Sequence, residues 1–243
     1  MTEPNSKIGG SAMILAAGLG SRMRPLTDTR PKPLIEVAGR SLIDRAVDTS
    51  RAAGVGVVVV NMHYLADQIE AWAQGLSKPR IILSDERAAL LDTGGGVVKA
   101  LGALGDAPFF VFNSDSFWVD GPVPALQRMR EAWDADRMDC LLLLSKPAHS
   151  IGFDGPGDFF MDDEGRLTRN TEKRDAGFIY SGCYLVSPRL FEEAPAGAFS
   201  MNVLWNKALE IGRLRGLVHD GLWLHVGTPT AIKDAEVALD GLP

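Results

Sequence analysis

Short apolar runs alternate along most of the chain with segments in which apolar residues recur every three or four positions. The short runs predict buried strands at 12–16, 55–61, 81–83, 109–112 and 140–144. The periodic segments predict helices between Ser41 and Gly54 and at 65–72, 94–104 and 125–133. Such alternation is typical of a mostly parallel sheet that carries helices on both faces.

The pattern changes beyond Pro147. Two short runs flank the polar turn 162–165 and predict a hairpin, which is followed by a strand at 180–186. The remaining predicted elements are a helix at 203–211, a strand at 223–226 and a closing helix at 231–239 that Pro229 helps to start. We therefore predict an α/β fold in a single domain, 1–243: a Rossmann-like, mostly parallel sheet flanked by helices, with a small antiparallel annex.

Composition and charge exclude several classes of partner. The 243 residues are 46% hydrophobic and 23% charged, as in an ordinary soluble domain. The net charge is −6, so no diffuse positive field favours nucleic acid or an anionic membrane, and we expect neither as a partner. Cys140 and Cys183 lie in apolar runs that suit core packing. With no long apolar N-terminal stretch, these features predict a cytoplasmic protein.

The glycine-rich loop after the first strand carries the most specific chemistry. Gly18 and Gly20 leave backbone N–H groups free to surround a phosphate, while Arg22 and Lys32 add formal positive charge. Together they predict a polyphosphate site. A simple glycine turn with surface arginines is the alternative.

Two other glycine-loop signatures fit this stretch poorly. A dinucleotide fingerprint calls for a small residue at Met23 and an acidic residue at Asn61. The ATPase P-loop requires a Gly-Lys-Ser/Thr segment that is missing here. A nicotinamide-dependent oxidoreductase is therefore disfavoured.

Further short motifs follow along nearly the whole chain. With the loop residues Gly18, Gly20, Ser21, Arg22, Pro25 and Pro31-Lys32-Pro33-Leu34, they comprise Asp92-Thr-Gly-Gly-Gly96, Asn113-Ser-Asp115, Gly157-Asp158-Phe159, Tyr180-Ser-Gly182 and Trp223-x-His225-Val-Gly-Thr228. This set resembles the sugar-1-phosphate nucleotidylyltransferases, and its order and spacing resemble most the short bacterial N-acetylmuramate-1-phosphate uridylyltransferases. The resemblance implies a nucleotide-diphospho-sugar transferase fold, with a nucleotide-binding half at about 10–145 and a sugar-binding half at about 146–243.

The resemblance also implies the chemistry. A nucleoside triphosphate and a sugar 1-phosphate would form a nucleotide-diphosphate sugar and pyrophosphate. The attacking phosphate oxygen is already anionic, so anions must be aligned and neutralised and no general base is needed. The implied catalytic residues are Arg22, Lys32 and Asp115. The implied nucleotide-binding residues are Leu15, Ala16, Ala17, Gly18, Gly20, Ser21, Arg22, Lys32, Gly94 and Gly95, the last two lying against the base.

The implied cofactor is Mg²⁺, bound by Asp115. Ser114 replaces the glycine that usually precedes this aspartate, and His225 replaces a second aspartate that similar sequences carry. Imidazole suits Mn²⁺ better than Mg²⁺, so Mn²⁺ is a possible alternative. His225 is accordingly a metal ligand, a hydrogen-bond partner of a phosphate, or a packing residue.

Sugar recognition is assigned by the resemblance to the second half together with the Asn113 strand end. The implied substrate-binding residues are Asn113, Asp158, Glu172, Lys173 and Gly182. Glu172 and Lys173 could equally belong to a solvated loop. Trp205 could stack on a sugar or fill the space between a helix and the sheet.

The predicted function is transfer of a uridylyl group from UTP to N-acetylmuramate 1-phosphate in cell-wall sugar recycling. The substrate follows from the resemblance alone. Glucose-, mannose- or glucosamine-type 1-phosphates, and other nucleotides, remain open. A non-catalytic sensor of nucleotide sugars is the alternative from another class.

Overall fold

The computed structural model describes residues 8–175 and 177–242. Its strands are β1 Ser11–Leu15, β2 Glu36–Val37, β3 Arg40–Ser41, β4 Val57–Met62, β5 Arg80–Asp85, β6 Phe109–Asn113, β7 Ser116–Val119, β8 Cys140–Ser145, β9 Ser150–Ile151, β10 Phe159–Met161, β11 Leu167–Arg169, β12 Ile179–Val186, β13 Leu214–Val218 and β14 Leu222–His225. Its α-helices are α1 Leu42–Ala52, α2 Ala66–Gln74, α3 Asp92–Leu104, α4 Ala125–Ala132, α5 Asn202–Glu210 and α6 Pro229–Asp240.

A seven-stranded sheet with the order β13-β8-β12-β6-β1-β4-β5 forms the centre of the fold. Every pair in it is parallel except those that β12 makes with β6 and β8. The predicted mostly parallel sheet is confirmed. Because β1 lies between β4 and β6, the carboxyl ends of three parallel strands open at one edge, where open α/β sheets bind ligands.

The strand predicted at 180–186 does not belong to the antiparallel annex. As β12 it lies inside the main sheet and is antiparallel to both neighbours. Seven of its eight residues are buried, as a strand packed on both faces requires. The edge strand β13 was not predicted, because Arg215 and Gly216 interrupt its apolar run.

Helices cover both faces of the sheet, as predicted. On one face, buried residues of α1, α2 and α4 pack against the strands, among them Ile43, Ile69 and Leu126. On the other, α3 and α5 contribute Val97 and Leu204 to a second cluster. Cys140 and Cys183 are buried and free, which confirms their prediction as core residues.

The antiparallel annex consists of small separate sheets. The predicted hairpin is confirmed as the pair β10–β11. A second sheet has the order β7-β14-β9 and packs on α6 through a third apolar cluster. Met23 belongs to that cluster and is fully buried, so it fastens the glycine-rich loop to the annex.

Local capping explains where several helices begin. The Ser41 hydroxyl accepts a hydrogen bond from Asp44 N at the start of α1, and Pro229 occupies the first position of α6 behind the cap Thr228. Helix α3 begins at Asp92 without a side-chain cap. Among the described residues, no helix combines the length and apolar character needed to cross a bilayer.

Candidate active site

The glycine-rich loop and the end of β6 enclose a cleft of about 510 Å³, which we call the first cleft. Leu15 and Asn113 are register partners at the carboxyl ends of β1 and β6. The loops that follow these strands therefore face each other. Of the residues predicted to bind nucleotide, those that line this cleft are Leu15, Ala17, Gly18, Gly20, Ser21, Arg22 and Lys32.

The loop holds its shape through a left-handed residue and two hydrogen bonds. Gly20 has φ 63°, and a Cβ there would lie 2.9 Å from Thr27 Cγ2. Its carbonyl accepts hydrogen bonds from Thr27 Oγ1 and from Met23 N. By contrast, a Cβ at Gly18 would meet no protein atom within 4 Å. The protein alone thus explains glycine at position 20, while the space in front of Gly18 faces the cleft.

Ala16 differs from the other predicted nucleotide-binding residues. It is buried, and its N–H donates a 2.6 Å hydrogen bond to Asn61 Oδ1. Asn61 Nδ2 in turn donates to Glu86 Oε1 at 2.8 Å, and Asn61 lines the cleft. The Ala16 N–H therefore supports the loop from beneath. Sequence reasoning missed Asn61 as a site residue, although its place at the end of a buried strand is a usable signal.

Three cationic or imidazole side chains converge on one oxygen of Asp115. Asp115 Oδ2 lies 3.1 Å from Lys32 Nζ, 3.8 Å from Arg22 Nη2 and 3.9 Å from His225 Nε2. The structure thus brings together the three predicted catalytic residues and the second predicted metal ligand. Ser114 Oγ donates to Leu15 O at 2.7 Å, so this residue ties the aspartate loop to β1.

The electrostatic surroundings keep the Asp115 carboxyl ionised. Burial opposes ionisation, but the neighbouring imidazole of His225 and the ammonium of Lys32 outweigh it and hold the pKa of Asp115 well below its usual range. The Lys32 side chain is only 11% exposed, and the Asp115 side chain is 25% exposed. The Asp115 carboxylate is therefore a negative charge that lies among cationic side chains and lines the first cleft.

His225 is oriented by its other ring nitrogen. Its Nδ1 lies 3.1 Å from the carbonyl oxygen of Gly152, which can only accept, so Nδ1 carries the proton. The ring also stacks on Trp223, with centroids 5.8 Å apart. The remaining ring nitrogen, Nε2, faces Asp115 Oδ2.

A second cleft of about 290 Å³ adjoins the first and shares Leu15, Asp92, Thr93 and Asn113 with it. Its other lining residues are Asp158, Phe159, Arg169, Tyr180, Tyr184, Ser200, Met201, Asn202 and Trp205. The predicted substrate residues Asn113 and Asp158 thus lie in it. Asp158 Oδ2 accepts a 2.8 Å hydrogen bond from Tyr180 N, which fixes the carboxylate at the start of β12.

Glu172, Lys173 and Gly182 line neither cleft. Glu172 forms a 2.9 Å ion pair with Arg174 on the surface. Gly182 has φ 86°, and a Cβ there would overlap Ser116 Oγ, so close packing already requires this glycine. The sugar-binding role of all three stays a prediction.

Gly94 and Gly95 also have a packing explanation. Both N–H groups donate to Phe199 O. A Cβ at Gly94 would overlap the Phe199 ring, and one at Gly95 would overlap the carbonyl oxygen of Gly197. Neither glycine lines the first cleft, so contact with a base stays a prediction.

A family model described as the MobA-like NTP transferase domain matches residues 12–153. The chain belongs to this family. It is 45% identical, over 94% of its length and 96% of the relative's, to an N-acetylmuramate alpha-1-phosphate uridylyltransferase from Caulobacter vibrioides. A protein of the same name from Neisseria meningitidis is 36% identical over 93% of this chain and 96% of that protein. The membership makes the protein a nucleotidyltransferase.

A solved structure supports the NTP transferase fold independently. HddC from Yersinia pseudotuberculosis, complexed with GMP-PN, superposes with a TM-score of 0.75, covering 94% of this chain and 99% of that chain. The two sequences are 21% identical, so the likeness extends to the fold alone.

The site of this NTP transferase suits a metal ion that takes only some of its ligands from the protein and the others from substrate and water. Among the described residues, no three His, Cys, Asp or Glu side chains are grouped so as to hold a metal ion. Asp115 Oδ1 takes part in no hydrogen bond or ion pair found within 8–175 and 177–242, so it is available as an oxygen ligand. Mg²⁺ commonly binds through one or two carboxylates, phosphate oxygens and water.

Of the two roles considered for Trp205, the structure of this family member favours packing between a helix and the sheet. It is buried, with its ring edge-on to Tyr180 at 4.9 Å and to Tyr184 at 5.4 Å. These aromatic residues form the inner wall of the second cleft. Arg169 lies in the same cleft and was not anticipated, because a single cation on a hairpin strand has no distinctive local signal.

Proposed function

We propose that the protein transfers the uridylyl group of UTP to N-acetylmuramate 1-phosphate, releasing pyrophosphate and forming UDP-N-acetylmuramate. The convergence of Lys32 and Arg22 on Asp115, where the first cleft meets the carboxyl edge of the sheet, carries the proposal. The choice of nucleotide and sugar is supported by the two uridylyltransferase relatives. N-Acetylmuramate is a cell-wall sugar, so the activity would serve its recycling in the cytoplasm, where UTP is available.

The first cleft provides the groups that a triphosphate requires. The loop at Gly18, Gly20 and Ser21 offers backbone N–H groups, and the Arg22 side chain lines the cleft and is largely exposed. We assign Arg22 to the β- and γ-phosphates, where it would stabilise the charge that develops on the leaving pyrophosphate. Ala16, whose N–H is already bonded, would support this loop without touching phosphate.

The attacking group is an oxygen of the sugar phosphate, which is anionic at neutral pH. The residues of the two clefts therefore have to align the nucleoside triphosphate with the sugar 1-phosphate and reduce the repulsion between these two anions. Lys32 is suited to this task because its side chain is nearly buried and its ammonium is held 3.1 Å from Asp115. We assign it to the reacting phosphates between the two clefts.

Asp115 would hold Mg²⁺ through its carboxylate, together with phosphate oxygens of the substrates. When bound, the ion neutralises phosphate charge. His225 satisfies one condition for a second ligand, since its Nδ1–H is bonded to a backbone carbonyl and its Nε2 faces Asp115. Because imidazole ligates Mn²⁺ more readily than Mg²⁺, we expect Mn²⁺ to support the reaction as well.

A grid of nucleoside triphosphates and sugar 1-phosphates, assayed for pyrophosphate release with Mg²⁺ and with Mn²⁺, tests the proposal. UTP with N-acetylmuramate 1-phosphate is expected to give the highest kcat/KM. A higher value for another sugar, such as glucose or mannose 1-phosphate, would keep the reaction class and replace the substrate. Nucleotide binding without turnover in any combination would make the protein a sensor.

A further inference from the structure

Arg169 is the one positively charged side chain among the described residues that line the second cleft. The other charged residues of that cleft are Asp92 and Asp158. A purely neutral sugar would not need a cation here. A negatively charged sugar substituent would be repelled by the two carboxylates unless a cation offset them.

The guanidinium of Arg169 is fixed in place by neutral groups. Its Nε donates to Asn206 Oδ1 and its Nη2 to Asn202 Oδ1, both at 2.7 Å. Its Cζ lies 5.1 Å from the centre of the Phe159 ring. These contacts fix the plane of the guanidinium but do not neutralise its positive charge.

No carboxylate of the described residues lies within 4.0 Å of Arg169, and its Nη1 has no protein hydrogen-bond partner there. Burial lowers the pKa of the guanidinium and nearby Asp158 raises it, but an arginine remains charged at neutral pH. An oriented, unpaired guanidinium in a cleft is suited to bind a carboxylate through two parallel hydrogen bonds.

The surroundings of Arg169 favour an anion further. The first residue of α5, Asn202, lines the same cleft, so the positive end of the helix dipole lies beside it. The neighbouring cations offer no such site. Lys173 and Arg174 are exposed and line neither cleft, and Arg174 is paired with Glu172.

We propose that Arg169 binds the lactyl carboxylate of N-acetylmuramate 1-phosphate and thereby selects this sugar over N-acetylglucosamine 1-phosphate. The inference rests on the proposed function. The two sugar phosphates differ only by the lactyl ether, so a residue that contacts the carboxylate affects one and not the other. Arg169 is thus a specificity-determining residue on the hairpin strand β11, with Asn202 and Asn206 as positioning residues.

The test compares kcat/KM for the two sugar phosphates, with saturating UTP, in wild type, Arg169→Gln and Arg169→Lys. We expect Arg169→Gln to lower the value for N-acetylmuramate 1-phosphate about 100-fold, the size typical of a lost charged hydrogen-bonded pair. The kcat/KM for N-acetylglucosamine 1-phosphate should not change, so in this variant the kcat/KM values of the two sugar phosphates become similar. Arg169→Lys should recover part of the loss, because it restores charge without the fork.

Two controls separate recognition from damage. Arg166→Gln removes a neighbouring arginine of the same hairpin that lies outside the second cleft, and it should leave both values at wild type. The methyl ester of the lactyl carboxylate should be a poor substrate of wild type and no poorer for Arg169→Gln. Equal losses of Arg169→Gln on both sugars, or a wild type that does not discriminate between them, would overturn the proposal.

Failure of the inference and failure of the proposed function give different results. If wild type turns over both sugar phosphates equally well with UTP, the uridylyltransferase reaction stands and Arg169 is not a selector. If wild type turns over neither, the proposed function fails and the inference fails with it. Calorimetric titration of N-acetylmuramate 1-phosphate into wild type and Arg169→Gln adds a readout that does not depend on turnover.

Discussion

The ammonium of Lys32 lies 3.1 Å from the carboxylate of Asp115, although the two residues are 83 positions apart in the chain. One comes from the loop after β1 and the other from the loop after β6, so the parallel pairing of these strands creates the contact. A lysine held in this way is presented to the cleft in one position. It can neutralise phosphate charge without first losing side-chain freedom.

Replacing Asp115 by Asn should abolish the reaction. The substitution keeps the shape of the side chain but removes the charge that would hold a divalent ion and orient Lys32. We expect kcat to fall by at least about 100-fold in a pyrophosphate-release assay. Asp163→Asn, an exposed change in the hairpin turn, is the matched control and should leave kcat unaltered. A near-normal rate in Asp115→Asn would contradict the assigned role.

Replacing Lys32 by Ala should separate chemistry from nucleotide binding. If the ammonium acts mainly on charge that develops in the transition state, kcat falls by about 100-fold. The Kd for UTP, measured by calorimetry, should change far less, because Arg22 and the loop amides still bind the triphosphate. Lys233→Ala serves as the control on an exposed part of α6. A weaker Kd for UTP with kcat unchanged would instead assign Lys32 to ground-state binding.

The sequence predicted Asp115 and Lys32 because each carries a local signal. Asp115 directly follows an apolar strand, and Lys32 lies between two prolines in a loop rich in glycine and arginine. Arg169 carries no such signal. Its partners Asn202 and Asn206 lie 33 and 37 residues away on α5, so its orientation exists only in the folded chain.

The placement of β12 shows a similar limit for the fold. Its apolar run marks a buried strand, but hydrophobicity does not reveal direction or neighbours. Only the tertiary arrangement inserts it antiparallel between β6 and β8. Conversely, the interrupted run of β13 concealed an edge strand, because Arg215 reaches the carbonyl of Glu164 instead of solvent.

Gly182→Ala should destabilise the protein independently of any sugar contact. The residue has φ 86°, and an added Cβ would overlap the buried Ser116 Oγ. Strain and overpacking together predict a loss of about 1–3 kcal/mol in the free energy of unfolding, measured by urea denaturation. Gly102→Ala is the matched control, because a Cβ there meets nothing within 4 Å and the residue lies in α3. We expect that variant to be neutral or slightly more stable. An unchanged stability of Gly182→Ala would show that β12 relaxes around the new methyl group.

Metal dependence should follow from the Asp115 and His225 pair. Chelation by EDTA is expected to stop turnover, and either Mg²⁺ or Mn²⁺ should restore it.

His225→Asp replaces the imidazole that faces Asp115 at 3.9 Å by a second carboxylate, which suits the hard Mg²⁺ ion better. We therefore expect the ratio of Mg²⁺- to Mn²⁺-supported kcat to rise in this variant, and Mg²⁺ affinity in the presence of UTP to increase. His149→Asp, a change to an exposed histidine outside both clefts, controls for added charge and should leave the ratio as in wild type. If His225→Asp shifted neither the ratio nor the affinity, His225 would be a packing residue stacked on Trp223, and Asp115 with the substrate phosphates would hold the ion alone.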